Sequence, residues 1–111
     1  MRRVWFKKEM RDAILEGRKT STTRNHPLPL QPEKLLAVSG SRFKAVPFAV
    51  LEVQTRIPTT LQNVFEMFYK EEGFESPAEM YLYIKKNKLL QNGGTVYFHR
   101  FKIVEKVGVG V

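Results

Sequence analysis

The sequence predicts an α+β domain, a small closed or nearly closed barrel of five or six short strands with helices inserted between them. Three observations point there. The apolar pattern alternates between helical spacing and a two-residue repeat, so neither element type dominates. The strand-like runs are short and broken by Gly, Pro and Ser turns, and closing such strands into a barrel removes exposed sheet edges. The chain has 111 residues, which suits one domain, 1–111, with a modest core and no linker or internal repeat. An OB-fold is the alternative from pattern alone, but its helix placement fits less well.

The elements follow in order. Val4, Trp5 and Phe6 stand among cations and predict a short first strand, with Trp5 either stacking on a base or, the preferred reading given its apolar neighbours, packing beside the first helix. From Glu9 the spacing of Met10, Ala13 and Ile14 places three apolar side chains on one helical face. Gly17 follows where a helix normally stops, since Gly enters the left-handed conformation at little cost. Residues 18–24 carry no apolar side chain, and β-branched Thr favours extended backbone, so a strand follows the glycine turn. Pro27, Pro29 and Pro32 exclude helix and central strand. The loop they make is stiff and follows the polar run directly, so it could wall a cleft.

Leu35 to Val38 reads as a buried strand, Ser39-Gly40-Ser41 as a turn, and Phe43 to Val46 as the start of the returning strand, with Pro47 at an edge or bulge. Phe48 to Ile57 is the strongest strand: Leu51, Val53, Thr55 and Ile57 alternate with Glu52, Gln54 and Arg56. Thr59 or Thr60 caps a helix whose stripe is Leu61, Val64, Phe65 and Phe68, ending near Gly73. Ser76, Pro77 and Glu79 form the N-terminal signature of another helix. Met80, Ile84 and either Tyr81 or Tyr83 would be its buried side, and Lys85, Lys86 and Lys88 would offset its C-terminal dipole. Asn92-Gly93-Gly94 is a turn. Thr95 to Val104 is the last strand, with Tyr97, His99, Phe101 and Ile103 on one face.

Composition narrows the function. The chain has no Cys and two His, His26 and His99. A disulfide framework, a thiolate metal site and a Cys nucleophile are therefore excluded, and no metal or other cofactor is expected. No apolar run approaches the ~20 residues of a membrane span, and the basic N-terminus lacks a signal-peptide core. A cytoplasmic protein that does not enter membranes is expected. Net charge is +8, which favours polyanions, nucleic acid first, without separating RNA from DNA.

The centre of the chain is Glu9 to Arg24. Arg18, Lys19 and Arg24 with Thr20, Ser21, Thr22 and Thr23 place three cations and four hydroxyls in seven positions. These are hydrogen-bond donors suited to phosphates, carboxylates or polar base edges. A solvated edge strand guarded by Lys and Arg would look the same.

A helix followed by Gly17-Arg18-Lys19-Thr20, then Thr22 and Arg24, resembles the signature of the ASCH family of the PUA-like superfamily. Tyr69-Lys70-Glu71-Glu72-Gly73-Phe74 with Ser76 is a second, weaker likeness, and the element order resembles the family along nearly the whole chain. The resemblance implies a PUA-like barrel and a role in RNA metabolism: RNA or a ribonucleotide held in a polar cleft formed by the Lys19–Arg24 run and Glu72, with Arg18, Thr20 and Arg24 as ligand contacts. Some ASCH proteins are amidohydrolases that remove the acetyl group of acetylcytidine with a Lys, a Thr and a Glu. Here these positions match Lys19, Thr22 and Glu72, with Glu71 adjacent in a looser alignment. A third implied activity, ribonuclease, lacks a second acid–base partner beside His26.

The hydrolase chemistry makes two demands. Lys19 can deprotonate a Thr hydroxyl only if burial or a neighbouring cation lowers its pKa, while an ionised Glu72 would raise it. In a regular strand Lys19 and Thr22 would point to opposite faces, so joint action requires irregular backbone near Thr20 or Ser21.

Overall fold

A computed structural model of the chain describes residues 1–88, 90 and 94–107. Its elements are β1 (Arg2–Trp5), α1 (Lys8–Leu15), β2 (Ser21–Arg24), β3 (Lys34–Ser41), β4 (Lys44–Thr59), α2 (Leu61–Met67), α3 (Pro77–Asn87) and β5 (Val96–Lys106). The five strands form one sheet in the order β1-β3-β4-β5-β2. β1 runs parallel to β3, and the other pairs are antiparallel. The sheet curls into a half-barrel whose two edges, β1 and β2, belong to the N-terminal part of the chain. The expected α+β architecture is present, with five strands and an open side.

Curling needs local irregularity, because a regular sheet only twists. Register shifts lie between Ala37 and Val38 in the β3–β4 pair, and between Val50 and Leu51 and between Val53 and Thr55 in the β4–β5 pair. The first falls beside Pro47, which pairs with Val38. Val38 is fully buried, so the irregularity sits in a packed part of the sheet.

Both faces of the central sheet are covered. Val4, Phe6, Ile14, Leu35, Leu51 and Phe101 pack together on one side. Leu61, Val64, Met80, Ile84, Val96 and Phe98 pack under α2 and α3 on the other. Phe68 stacks on Phe98 with ring centroids 4.0 Å apart. The spacing of Tyr97, His99, Phe101 and Ile103 captured one face of β5, but Phe98 on the opposite face is also fully buried, because the two C-terminal helices cover it.

Several sequence expectations shift. Ser39 to Ser41 remain in β3, and the hairpin turns at Arg42–Phe43 instead. Gly40 has φ +101°, and a Cβ there would collide with the Lys44 carbonyl oxygen; the residue serves close strand approach. α2 ends at Met67, and the chain continues to Phe74 as a series of turns, with Phe74 N–H bonding Tyr69 O at 3.0 Å. The caps stand as expected: Thr60 Oγ1 accepts from Asn63 N–H and Ser76 Oγ from Glu79 N–H. Of the two tyrosines of α3, Tyr81 is exposed and Tyr83 half-buried. Apart from Gly94, the turn expected at 92–94 lies outside the described residues, as does the tail beyond Val107. Among the described residues no helix is long and apolar enough to cross a membrane.

Candidate functional site

The helix-to-strand corner after α1 turns Lys19 inward. Gly17 takes φ +82°, and the N–H groups of Arg18 and Lys19 both bond the Ala13 carbonyl, at 2.9 and 3.1 Å. The chain thus doubles back under the helix, and β2 begins only at Ser21. Lys19 lies before the strand, so strand alternation does not carry it away from Thr22. This is the irregular backbone that joint action of the two residues requires.

The opposing wall is the turn after α2, and Glu71 anchors it. Its carbonyl accepts the N–H groups of Thr20 and Ser21 at 2.8 and 3.1 Å. Its carboxylate takes a two-pronged bond from Arg100 at 2.7 and 3.1 Å, and that guanidinium lies 5.4 and 5.2 Å from the ring centres of Phe68 and Phe98. Gly73 follows with φ +101°, and a Cβ there would stand 3.2 Å from Lys19 Cβ; glycine lets the turn close on the lysine. With Glu71 committed outward, Glu72 points inward.

There, Lys19 Nζ donates to the Glu72 carbonyl at 3.1 Å and pairs with Glu72 Oε1 at 3.5 Å. Ser21 Oγ donates to Glu72 Oε2 at 2.5 Å. Lys19 is 5% exposed and Glu72 3%. Burial pushes the Lys19 pKa below its ordinary 10.5; the charge of Glu72 opposes this and that of Arg24 adds to it. Desolvation therefore outweighs the carboxylate.

Arg24 bridges the open side of the barrel. Its Nε donates to Thr22 Oγ1 at 3.1 Å and its Nη2 to the Trp5 carbonyl at 2.8 Å. The guanidinium sits 4.7 Å from the centre of the Phe6 ring. Burial lowers its pKa to about 10, so it remains a cation at neutral pH. Thr22 is itself buried; its hydroxyl oxygen is polarised by an N–H of Arg24, while its carbonyl meets His99.

His99 is a structural residue. Leu28 N–H donates to its Nε2 at 2.9 Å, so Nδ1 carries the proton and donates to Thr22 O at 3.1 Å. Burial lowers its pKa, with the bond to Thr22 opposing. Arg56 holds the Leu28 carbonyl at 2.8 Å. The proline-rich loop is therefore pinned at Leu28 against β5 and β4, and it does form a wall: Asn25, His26 and Leu28 line the cleft.

The cleft is a cavity of about 390 Å³ between the β1 and β2 edges, α1 and α3. Lys19, Thr22, Arg24 and Glu72 line it together. Arg18 and Thr20 do not: both are exposed, and Arg18 pairs with Glu16. Trp5 does not bury itself against α1; it is 39% exposed and lines the cavity. Ser21 is the site residue that sequence reasoning left unassigned. Its signal was its place between the Lys and Thr of the motif, but only the position of Glu72 gives the hydroxyl its partner. Among the described residues no three His, Cys, Asp or Glu cluster as metal ligands do.

Thr23 carries the one buried side-chain polar atom among the described residues without a hydrogen-bond partner, its Oγ1. A buried unpaired hydroxyl costs free energy that an apolar group of the same shape avoids. Thr23→Val is expected to raise the unfolding free energy by about 1 kcal/mol, as read by urea denaturation. A destabilised variant would mean that the hydroxyl has a partner in solution.

Neither a protein-family model nor a curated protein matches the chain. Similar solved structures do exist. A protein of Enterococcus faecalis superposes with a TM-score of 0.72 at 16% identity, over 100% of this chain and 85% of the other. ASCH from Zymomonas mobilis gives 0.69 at 13% identity, over 94% and 68%. The ASCH domain of Lactobacillus crispatus gives 0.59 at 16% identity, over 86% and 70%. At these identities the likeness concerns the backbone, and on that ground the chain has the ASCH fold.

Proposed function

We propose that the cavity holds one ribonucleoside unit, free or within RNA, and that the protein acts in RNA metabolism. The observation that carries this reading is the convergence of Lys19, Thr22, Arg24 and Glu72 on one small cavity with Trp5 at its side. A volume of about 390 Å³ lies in the lower part of the range for small-ligand sites. Fixed donors and a carboxylate suit the polar edge of a base, and an exposed indole suits its face. Net charge of +8 favours a polyanion, and the ASCH fold favours RNA.

Trp5 is the only tryptophan, so its fluorescence reports occupancy. Cytidine, acetylcytidine and a short single-stranded RNA are expected to change it saturably. Thr22→Val should weaken binding about tenfold, the equivalent of a lost hydrogen bond to a bound polar group. No saturable change with any of the three would sink the reading.

A second reading, amidohydrolysis of acetylcytidine, is favoured by the buried, pKa-lowered Lys19 sharing the cavity with Thr22. Thr22 Oγ would attack the acetyl carbonyl while the Lys19 amine takes the hydroxyl proton. Collapse would expel the base amine, which regains that proton, and water would then release acetate from the Thr22 ester. Arg24 N–H at Thr22 Oγ1 favours the developing alkoxide, and Glu72 orients the lysine. Wild type should convert acetylcytidine to cytidine and acetate, and Thr22→Val and Lys19→Met should abolish the reaction. Wild-type turnover equal to the uncatalysed rate would eliminate this second reading.

A further inference from the structure

The cations that line the cavity divide into two groups. Lys19 is engaged with Glu72, and Arg24 with Thr22 and Trp5. Arg2, Arg3 and Lys7, all on or beside β1, also line the cavity, and all three are exposed. None of these three makes an ion pair among the described residues. Among the described residues the only carboxylate lining the cavity is Glu72, which is buried and already committed to Lys19 and Ser21. On the other side, Met10, Ile84 and Leu90 line it with apolar surface. The β1 rim is therefore cationic without ion pairs among the described residues, while Met10, Ile84 and Leu90 supply an apolar wall beside Tyr83, whose hydroxyl bonds Glu9.

Three like charges held along one short segment repel one another, and a bound anion relieves that repulsion. Arg adds a forked geometry that matches phosphate oxygens. Resting on the nucleoside reading above, we propose that Arg2, Arg3 and Lys7 form a phosphate subsite, so that the preferred ligand is a phosphorylated nucleotide and not the free nucleoside. The phosphate lies along β1, outside the Lys19–Glu72 floor, and the base and sugar lie between Trp5 and the apolar wall. The anion is a phosphate monoester of a free nucleotide or a diester of an RNA strand.

The test is titration of Trp5 fluorescence with cytidine, cytidine 5′-monophosphate, cytidine 3′-monophosphate and a cytidylyl dinucleotide, at low and at raised salt. At low salt at least one phosphorylated ligand is expected to bind about tenfold tighter than cytidine, with the advantage shrinking as salt rises. Tightest binding by a monophosphate would identify a free nucleotide as the source, and tightest binding by the dinucleotide an RNA strand. Arg2→Gln with Arg3→Gln should bring the phosphorylated-to-unphosphorylated ratio close to one. Arg42→Gln with Lys44→Gln removes the same charge at the β3–β4 hairpin, outside the cavity, and should leave the ratio unchanged. Equal affinity of wild type for cytidine and all phosphorylated forms would overturn the subsite while leaving the nucleoside reading intact. An equal loss of the ratio in the hairpin variant would overturn it too, as bulk charge. Binding of none of the four would overturn both readings.

Discussion

Glu72→Ala is expected to lower the unfolding free energy by about 3–5 kcal/mol, because it leaves Lys19 buried without its counter-charge. Both partners are almost wholly inaccessible, and water entering from the cavity is a weaker partner for the ammonium than the carboxylate it replaces. Ser21 Oγ, which donates to Glu72 Oε2, and Lys19 Nζ lose acceptors in the same step. The companion variant, Lys19→Met with Glu72→Leu, should recover most of the loss, since well-packed apolar residues of similar size often match or exceed a buried pair. Chemical denaturation of wild type, the single variant and the double variant measures this. A stable double variant that no longer shows the Trp5 response would mean that the pair exists for the ligand. A double variant as unstable as Glu72→Ala would mean that the pair itself supports the fold.

The same pair has a pH signature. The folded-state pKa of Lys19 is lowered beneath its ordinary 10.5, so between the lowered value and 10.5 the unfolded chain binds more protons than the folded one. Stability therefore rises with pH through that window as the cost of holding a buried ammonium disappears. Lys19→Met should remove that rise.

His99→Leu is the second large effect. It strands Leu28 N–H and the Thr22 carbonyl, both of which His99 now satisfies. At about 1–3 kcal/mol for each unpaired buried group, the loss should be comparable with that of Glu72→Ala. It should also free the proline-rich loop from β5, so protease cutting near His26 should accelerate in the variant before global unfolding. Cutting at the wild-type rate would show that the remaining bonds, Arg56 to the Leu28 carbonyl and Gln31 N–H to the Val53 carbonyl, hold the loop without His99. His99 also predicts acid sensitivity. Its folded pKa is lowered below 6.5, so as pH falls below about 6.5 the unfolded chain takes up a proton that the folded chain resists. Stability contributed by neutral His99 is present above 6.5 and is lost as pH falls toward the folded value. The variant should lose that component of the pH dependence.

The elements were legible in the sequence for local reasons. Met10, Ala13 and Ile14 repeat at helical spacing, Ser76 and Thr60 cap, Gly17 takes the left-handed turn, and Leu51 to Ile57 alternate. Each of these is an interaction between residues a few positions apart, so the chain states it directly. Errors arose where a distant contact overrode the local signal. Gly40 looked like a turn residue but serves close strand approach at Lys44, and the burial of Phe98 depends on helices that pack from elsewhere in the chain.

The candidate site divides along the same line. Read alone, the chain names the chemical groups on offer: Lys19, Thr22 and Arg24, in a run too polar to be ordinary core, and a carboxylate near position 72. Which of them meet is set by tertiary packing. That packing chose Glu72 over Glu71 because Arg100 claims Glu71, added Ser21 because its hydroxyl faces the Glu72 carboxylate, and left Arg18 and Thr20 in solvent. Lys19 and Glu72 are 53 positions apart, and no local preference encodes a contact across that distance. Lys19 is aimed first by the Ala13 carbonyl, a local bond at the end of α1, and then by the Glu71 carbonyl at Thr20 and Ser21, a long-range bond that exists only once the turn after α2 has packed against the start of β2.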